Sequence, residues 1–147
     1  MSFNLSAKDF VLLLLNSDNQ KPIKGNLFIQ KEMFLIVEEV WPELKEELQF
    51  EAYDYGPYSH VLVNILRELR SEFLVNFEDS EGNVYSITKQ GQIYLESIKF
   101  PEGIEKKVNN LKVGSNKLGY KGLLRYVYFS YPEFTINSKI KDEVLGE

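Results

Sequence analysis

A run of six apolar residues, Phe10 to Leu15, constrains this chain more than any other feature of its sequence. Ser6 precedes the run, and Asp9 follows Ser6 at the spacing of a capping box, which predicts that a helix begins here. Because the run puts apolar side chains on nearly every side of that helix, we expect the helix to be buried in a core. The run is far shorter than the roughly 18 residues that a membrane span requires, so we expect no membrane partner.

The composition indicates a single domain without cysteine chemistry. The chain has 147 residues, of which 44% are hydrophobic and 27% are charged, and it contains no cysteine. This length fits one domain with one sizeable core. The absence of cysteine excludes disulfides, thiolate metal sites and cysteine nucleophiles. The amino terminus lacks a basic segment and a small-residue cleavage site, so we expect no signal peptide and a cytoplasmic location.

The predicted elements of residues 1–100 follow the order of a winged-helix-like α+β domain. After the first helix, the sequence predicts helix 26–40, helix 43–48, strand 50–55, a sharp turn at 56–59, helix 60–71, strands 73–77 and 84–87, and helix 89–98. The β-hairpin comes directly after helix 60–71, which is how a wing is attached to a helix-turn-helix core. Its tip is acidic, with Glu78, Asp79 and Glu81.

Residues 101–147 are predicted to form a helical extension packed on the same domain. The helical candidates are residues 104–113, 118–131 and 139–145, and Pro132 is expected to end the second of them. This extension carries a net charge of +2, whereas residues 1–100 carry −7. Winged helices often dimerise through carboxyl-terminal helices, so a homodimer through residues 101–147 is also predicted.

Three tyrosines surround a Gly-Pro pair in residues 53–58. Tyrosine is enriched at interaction hot spots, which makes this segment a candidate partner-binding surface. Its residues are Tyr53, Tyr55, Gly56, Pro57 and Tyr58. Alternatively, the rings pack over the helices while their hydroxyls reach water or backbone. The sequence leaves both interpretations open.

Helix 60–71 combines an apolar stripe with a polar face. The stripe comprises Val61, Ile65, Leu66, Leu69 and Phe73, and the polar face comprises His60, Asn64, Arg67 and Ser71. A winged helix reads DNA with this helix, where Asn64 would match adenine and Arg67 would match guanine. Nearby Glu68 and the acidic hairpin tip would repel phosphate, so a solvated helix face is the other interpretation.

A second basic candidate lies in the extension. Residues 104–125 contain Lys106, Lys107, Lys112, Lys117, Lys121 and Arg125 against a single acid, Glu105. If the chain is helical from Leu118, then Lys117, Lys121 and Arg125 share one face. Such a stripe would follow a phosphate backbone or contact an acidic protein surface.

The sequence lacks the constellations that carry catalysis. His60 is the only histidine, and no nucleophile elbow or glycine-rich phosphate loop is present. The acidic residues of segment 43–54 lack the spacing of a calcium loop. We therefore predict a non-enzymatic protein with neither a cofactor nor a metal site.

Segments 27–35, 53–59 and 85–91 contain, in this order, an Ile-Gln-Lys helix, Tyr-Asp-Tyr-Gly-Pro-Tyr-Ser and Thr-Lys-Gln-Gly. Together they resemble the YwgA-like proteins and the broader SocA-like, or Panacea, antitoxin domains. With residues 126–141, the resemblance covers roughly residues 8–145, and Ile29 stands where leucine is usual. The resemblance implies a winged-helix-like domain without known catalysis, in a group that includes antitoxins and a protease adaptor.

These features predict a regulatory protein that binds another macromolecule. The leading hypothesis is an antitoxin-like or adaptor-like protein that acts through a protein partner, for example a toxin. A winged-helix transcription regulator that binds DNA is the alternative hypothesis.

Overall fold

The computed structural model describes residues 4–80 and 82–145, which form a mixed α+β protein, as predicted. The helices are α1 (Ala7–Gln20), α2 (Asn26–Glu39), α3 (Leu44–Leu48), α4 (His60–Ser71), α5 (Lys89–Glu96), α6 (Ile104–Ser130) and α7 (Lys141–Leu145). The strands are β1 (Ile23–Lys24), β2 (Glu51–Tyr53), β3 (Gly56–Tyr58), β4 (Val75–Glu78) and β5 (Val84–Ile87). A 3-10 helix at Pro132–Phe134 follows α6, where Pro132 was expected to end the helix.

Helix α1 is the buried core helix that the apolar run predicted. The backbone amide of Ser6 donates to the Asp9 carboxylate at 2.9 Å, which forms the predicted capping box. All six side chains of the run are buried, and Phe10 packs against the rings of Trp41 and Phe100. Burial on every side explains why this helix has no polar face.

Helix α6 forms hydrogen bonds with the carboxyl-terminal end of α1. Asp18, Asn19 and Gln20 all have positive φ angles, a conformation that non-glycine residues seldom adopt. Asn109 accepts a hydrogen bond from the Asp18 amide at 2.7 Å, and Asn116 donates to the Asp18 carboxylate at 2.8 Å. These tertiary contacts hold the strained end of α1 in place.

The larger sheet has three antiparallel strands in the order β1-β5-β4. The hairpin of β4 and β5 was predicted, whereas β1 was missed because its two residues show no alternation to detect. Ile23 of β1 pairs with Tyr85 of β5, and Val75 of β4 pairs with Ile87. Strand β4 is therefore an edge strand among the described residues.

The predicted sharp turn at 56–59 is wrong. Gly56–Tyr58 is strand β3, which pairs with β2 so that Tyr53 lies opposite Gly56 and Glu51 lies opposite Tyr58. The chain reverses instead at Asp54 and Tyr55. Composition alone suggested a turn, but the cross-strand partner makes this Gly-Pro pair extended.

Two other expectations about this region change. The predicted strand 73–77 begins later, because Phe73 has a φ of 63° and breaks the extended backbone. Phe73 was assigned to the apolar stripe of its helix, yet it is 70% exposed, while Leu62 is fully buried in that stripe. Of the acidic tip, Glu78 and Asp79 are exposed, and Glu81 lies outside the described residues.

Helix α6 joins two helical candidates into one element. Gly119 interrupts it with φ 73° and ψ 177°, so the helix does not keep one phase along its length. Before this point, Ile104 and Val108 pack into the core around α1. After it, the buried side chains Leu123, Leu124, Val127 and Tyr128 pack on Phe34 and Leu35 of α2.

Candidate binding face of helix α4

Helix α2 anchors the start of α4. The Gln30 amide nitrogen donates to the Ser59 carbonyl at 2.9 Å, and the Ser59 amide donates to the Gln30 side-chain oxygen at 2.8 Å. The Ser59 hydroxyl accepts from the Leu62 amide at 3.0 Å and donates to the Leu48 carbonyl at 2.6 Å. Ser59 is thus the N-cap of α4, and its position is set by α2 and α3.

The hairpin of β2 and β3 is fixed from two sides. Lys31, which is fully buried, donates to the Pro57 carbonyl at 3.3 Å, and burial lowers the pKa of Lys31 to about 8. On the other side, a Cβ added at Gly56 would lie 2.8 Å from the Tyr128 ring, and the φ of Gly56 is +90°. Only glycine allows this close approach of β3 to α6.

The exposed side of this hairpin carries an aromatic cluster. Tyr53 and Tyr58 stack with ring centroids 5.1 Å apart, and the His60 ring contacts both edge to face. The His60 Nε2 lies 3.2 Å from the Glu51 carboxylate, and both residues are more than half exposed. The cluster therefore extends from the hairpin onto the first turn of α4.

The five predicted residues of the tyrosine segment differ in their exposure to solvent. Gly56 and Pro57 are buried and contribute backbone, not surface. Tyr53 and Tyr55 are 42% and 39% exposed, and Tyr58 is half-buried. The surface at this position consists of rings held by a buried backbone.

The predicted polar face of α4 is exposed along its whole length. Asn64, Arg67 and Ser71 follow His60 along the helix, and all four are exposed. Helix α4 has 12 residues, so this face is about 18 Å long. It connects the aromatic cluster at one end to a groove at the other.

The groove lies between α4, β4 and the start of α5. Its volume is about 690 Å³, and its lining residues are Arg67, Arg70, Ser71, Phe73, Val75, Asn76, Phe77, Thr88 and Gln90. The Arg70 guanidinium lies 4.0 Å from the centre of the Phe77 ring, which holds it in place. No lining residue is acidic, and no carboxylate within residues 4–80 and 82–145 pairs with either arginine.

We call the aromatic cluster, the polar residues of α4 and this groove together the α4 face. Sequence reasoning found most of it but missed Arg70 and the exposure of Phe73. Arg70 stands three residues after Arg67, a spacing that places both on adjacent turns. The exposure of Phe73 follows from its left-handed backbone, for which the sequence carries no signal.

The Thr-Lys-Gln-Gly motif, residues 88–91, fixes part of the backbone that forms the groove. The Thr88 hydroxyl accepts from the Gly91 amide at 2.9 Å and donates to the Phe73 carbonyl at 2.7 Å. A Cβ added at Gly91 would lie 2.3 Å from the Leu74 carbonyl oxygen. Thr88 and Gly91 therefore fix the backbone on which Phe73 stands.

The predicted basic stripe of α6 is not regular. Lys117 and Lys121 are exposed and Arg125 is half-buried, but the non-helical Gly119 lies between the two lysines. Lys112, counted with this basic group, is fully buried. Its ammonium donates to the carbonyls of Leu15, Ser17 and Lys21 at 3.1, 2.8 and 2.7 Å. Lys112 therefore caps the end of α1 and is removed from any binding surface.

A carboxylate is buried close to Lys112. Glu32 is fully buried, and neither of its carboxylate oxygens has a hydrogen-bond partner among the described residues. Burial raises the pKa of Glu32 to about 8, against the opposing effect of the Lys112 ammonium. Burial also lowers the pKa of Lys112 to about 8.

The described residues hold no cluster of three or more histidine, cysteine or acidic side chains placed to bind a metal ion. None of the helices in residues 4–80 and 82–145 has the length and apolar character needed to cross a membrane. In comparisons with protein-family models and with curated proteins, nothing matches this chain.

Proposed function

We propose that this chain is a non-enzymatic regulatory protein of the cytoplasm that binds a protein partner through the α4 face. The observation that carries the proposal is the exposed Phe73 beside Arg67 and Arg70. Aromatic residues and arginine dominate the binding energy of protein interfaces. A phenylalanine held in a left-handed conformation and exposed to solvent is costly for the isolated protein, which favours a use in binding.

We further propose a winged-helix architecture and membership in the YwgA-like and Panacea group. The winged-helix architecture is supported by the order of the elements: α1, α2 and α4 are followed by the β4–β5 hairpin. Helix α3 and the β2–β3 hairpin are inserted before α4. Membership in that group is supported by contacts between the motif segments, since Gln30 and Lys31 form hydrogen bonds with the Tyr-Gly-Pro-Tyr-Ser segment. An antitoxin or adaptor that masks or presents its partner fits both proposals.

Site-specific photo-crosslinking in native cells tests the function. A photoreactive phenylalanine analogue replaces Phe73 in one variant and Ile93 in a matched control, because Ile93 is 56% exposed but lies on α5 outside the α4 face. We expect one stoichiometric protein adduct at position 73 and none at position 93. Equal labelling at both positions, or no protein adduct at 73, would refute a partner-binding α4 face.

Binding of DNA is the second candidate, because Asn64, Arg67 and Ser71 are exposed on the helix that precedes the hairpin. The exposed acids Glu68, Glu78 and Asp79 oppose it. Fluorescence anisotropy with random duplex DNA distinguishes the two candidates. Affinity that falls by roughly 10³–10⁵ between low salt and about 200 mM would indicate six to ten phosphate contacts.

A homodimer through residues 101–147 stays a prediction. Phe129, in the last turn of α6, is 76% exposed and offers apolar surface to a second copy. Light scattering of the wild type and of Phe129→Ser tests it, and a monomeric wild type would refute it.

A further inference from the structure

We propose that the groove binds an acidic peptide segment, which adds as an extra strand along β4. This inference rests on the proposed protein-binding function and deepens it by naming the chemistry of the partner. The bound segment is a strand with Asp or Glu side chains toward Arg67 and Arg70 and an apolar side chain on Phe73.

The edge of β4 is free to pair. Strand β4 is the last strand of its sheet, and no strand in the described part of the chain pairs with its other edge. Thr88 donates its amide to the Leu74 carbonyl at 3.1 Å, which makes Leu74 and Thr88 a hydrogen-bonded pair. Antiparallel pairs alternate, so the Val75 and Phe77 amides and carbonyls point away from β5.

The residues that carry these outward groups also line the groove. Val75, Asn76 and Phe77 of β4 line it together with the two arginines of α4. A peptide laid along this edge would gain main-chain hydrogen bonds from β4, as in other complexes formed by strand addition. Alternate side chains of the peptide would then face the arginines.

Charge selects an acidic peptide. Arg67 and Arg70 are the charged residues of the groove, and no acid lines it. Arginine binds carboxylates in bidentate geometry, and the stacking of Arg70 on Phe77 fixes its guanidinium in advance. A phosphate backbone shares this charge but cannot form the main-chain hydrogen bonds of a strand.

The test is a random twelve-residue peptide library displayed against the full-length protein. We expect enriched peptides to be rich in Asp and Glu. Their Kd should rise roughly tenfold for each of Arg67→Gln and Arg70→Gln. The control Lys106→Gln/Lys107→Gln removes two exposed charges from α6 and should leave the Kd unchanged. Backbone N-methylation of an enriched peptide should abolish binding at every second residue only, because alternate amides of a strand face β4.

Each failure has its own meaning. Peptides that are not acidic, that tolerate the arginine substitutions or that show no two-residue methylation period would overturn the groove proposal. The groove proposal would also be overturned if no peptide were enriched on the wild-type protein relative to the Arg67→Gln/Arg70→Gln variant. In all these cases a stoichiometric protein adduct at position 73 would leave the proposed function standing. Salt-sensitive binding of duplex DNA that is lost in the double arginine variant, without such an adduct, would overturn both.

Discussion

The side chain of Gln30 in α2 forms two hydrogen bonds with the backbone of Ser59, one to its amide and one to its carbonyl. This pair links the core to the start of α4, because Ser59 is the N-cap of that helix. Gln30 and Ser59 are both buried, so neither backbone group has water as a substitute partner.

Replacing Gln30 by alanine is therefore expected to destabilise the protein. The change leaves the buried amide and carbonyl of Ser59 unpaired and creates a cavity, at a total cost of roughly 2–4 kcal/mol. Urea unfolding measures the loss. The matched control, Gln92→Ala on α5, should change the free energy of unfolding by no more than about 0.5 kcal/mol. Equal effects of the two substitutions would mean that the Gln30–Ser59 pair contributes nothing of its own.

Gly56 is expected to tolerate no side chain. Alanine at this position would meet the Tyr128 ring and would also have to adopt a φ of +90°. We expect Gly56→Ala to destabilise the fold by roughly 2 kcal/mol or more. Gly114 on α6 has nothing within 4 Å of an added Cβ, so Gly114→Ala should stabilise by about 0.5–1 kcal/mol. Thermal unfolding of the two variants should therefore move in opposite directions.

Phe73 should separate binding from stability. Asparagine adopts the left-handed conformation more readily than phenylalanine, and the Phe73 side chain is largely exposed. We expect Phe73→Asn to leave the melting temperature unchanged or raise it, while peptide affinity falls by about tenfold or more. A large drop in melting temperature would show instead that the Phe73 ring supports the fold.

The buried Glu32 predicts an unusual pH dependence. Its folded-state pKa of about 8 lies above the ordinary carboxyl value of 4.5. Between these two pH values the folded state retains a proton that the unfolded state releases, so stability falls as the pH rises. Glu32→Gln removes this dependence. We expect the variant to match the wild type near pH 4.5 and to exceed it by roughly 4 kcal/mol near pH 8.

Urea unfolding at several pH values between 4.5 and 8 measures the effect of Glu32→Gln. The exposed Glu96→Gln on α5 serves as the charge-matched control. A difference between the Glu32 variant and the wild type that stays constant across this range would show that Glu32 keeps its charge in the folded protein.

Local patterns predicted the elements that depend on local interactions. The capping box at Ser6 and Asp9 and the bounds of α4 rest on contacts within four residues, which the sequence displays directly. The exposed polar face of α4 was predictable for the same reason, because helical spacing alone separates it from the buried stripe.

The sequence predictions are wrong where the local structure depends on residues that are distant in sequence. Gly56 and Pro57 form a strand because β2 pairs with them, and β1 exists only because β5 lies beside it. Lys112 seemed part of a basic surface, but the carbonyls at the end of α1 bind its ammonium inside the core. None of these partners is near in sequence.

The sequence by itself determined a buried first helix, a mixed α+β fold and a solvent-exposed polar face on α4, since composition and period decide which residues leave water. Only the tertiary structure decided that this face ends in a groove with Arg70 and an outward-facing Phe73. Two contacts hold the left-handed turn at Phe73: the Leu74 amide donates to the Leu69 carbonyl at 3.0 Å, and the Thr88 hydroxyl donates to the Phe73 carbonyl at 2.7 Å. The second contact spans fifteen residues, and no local pattern encodes it.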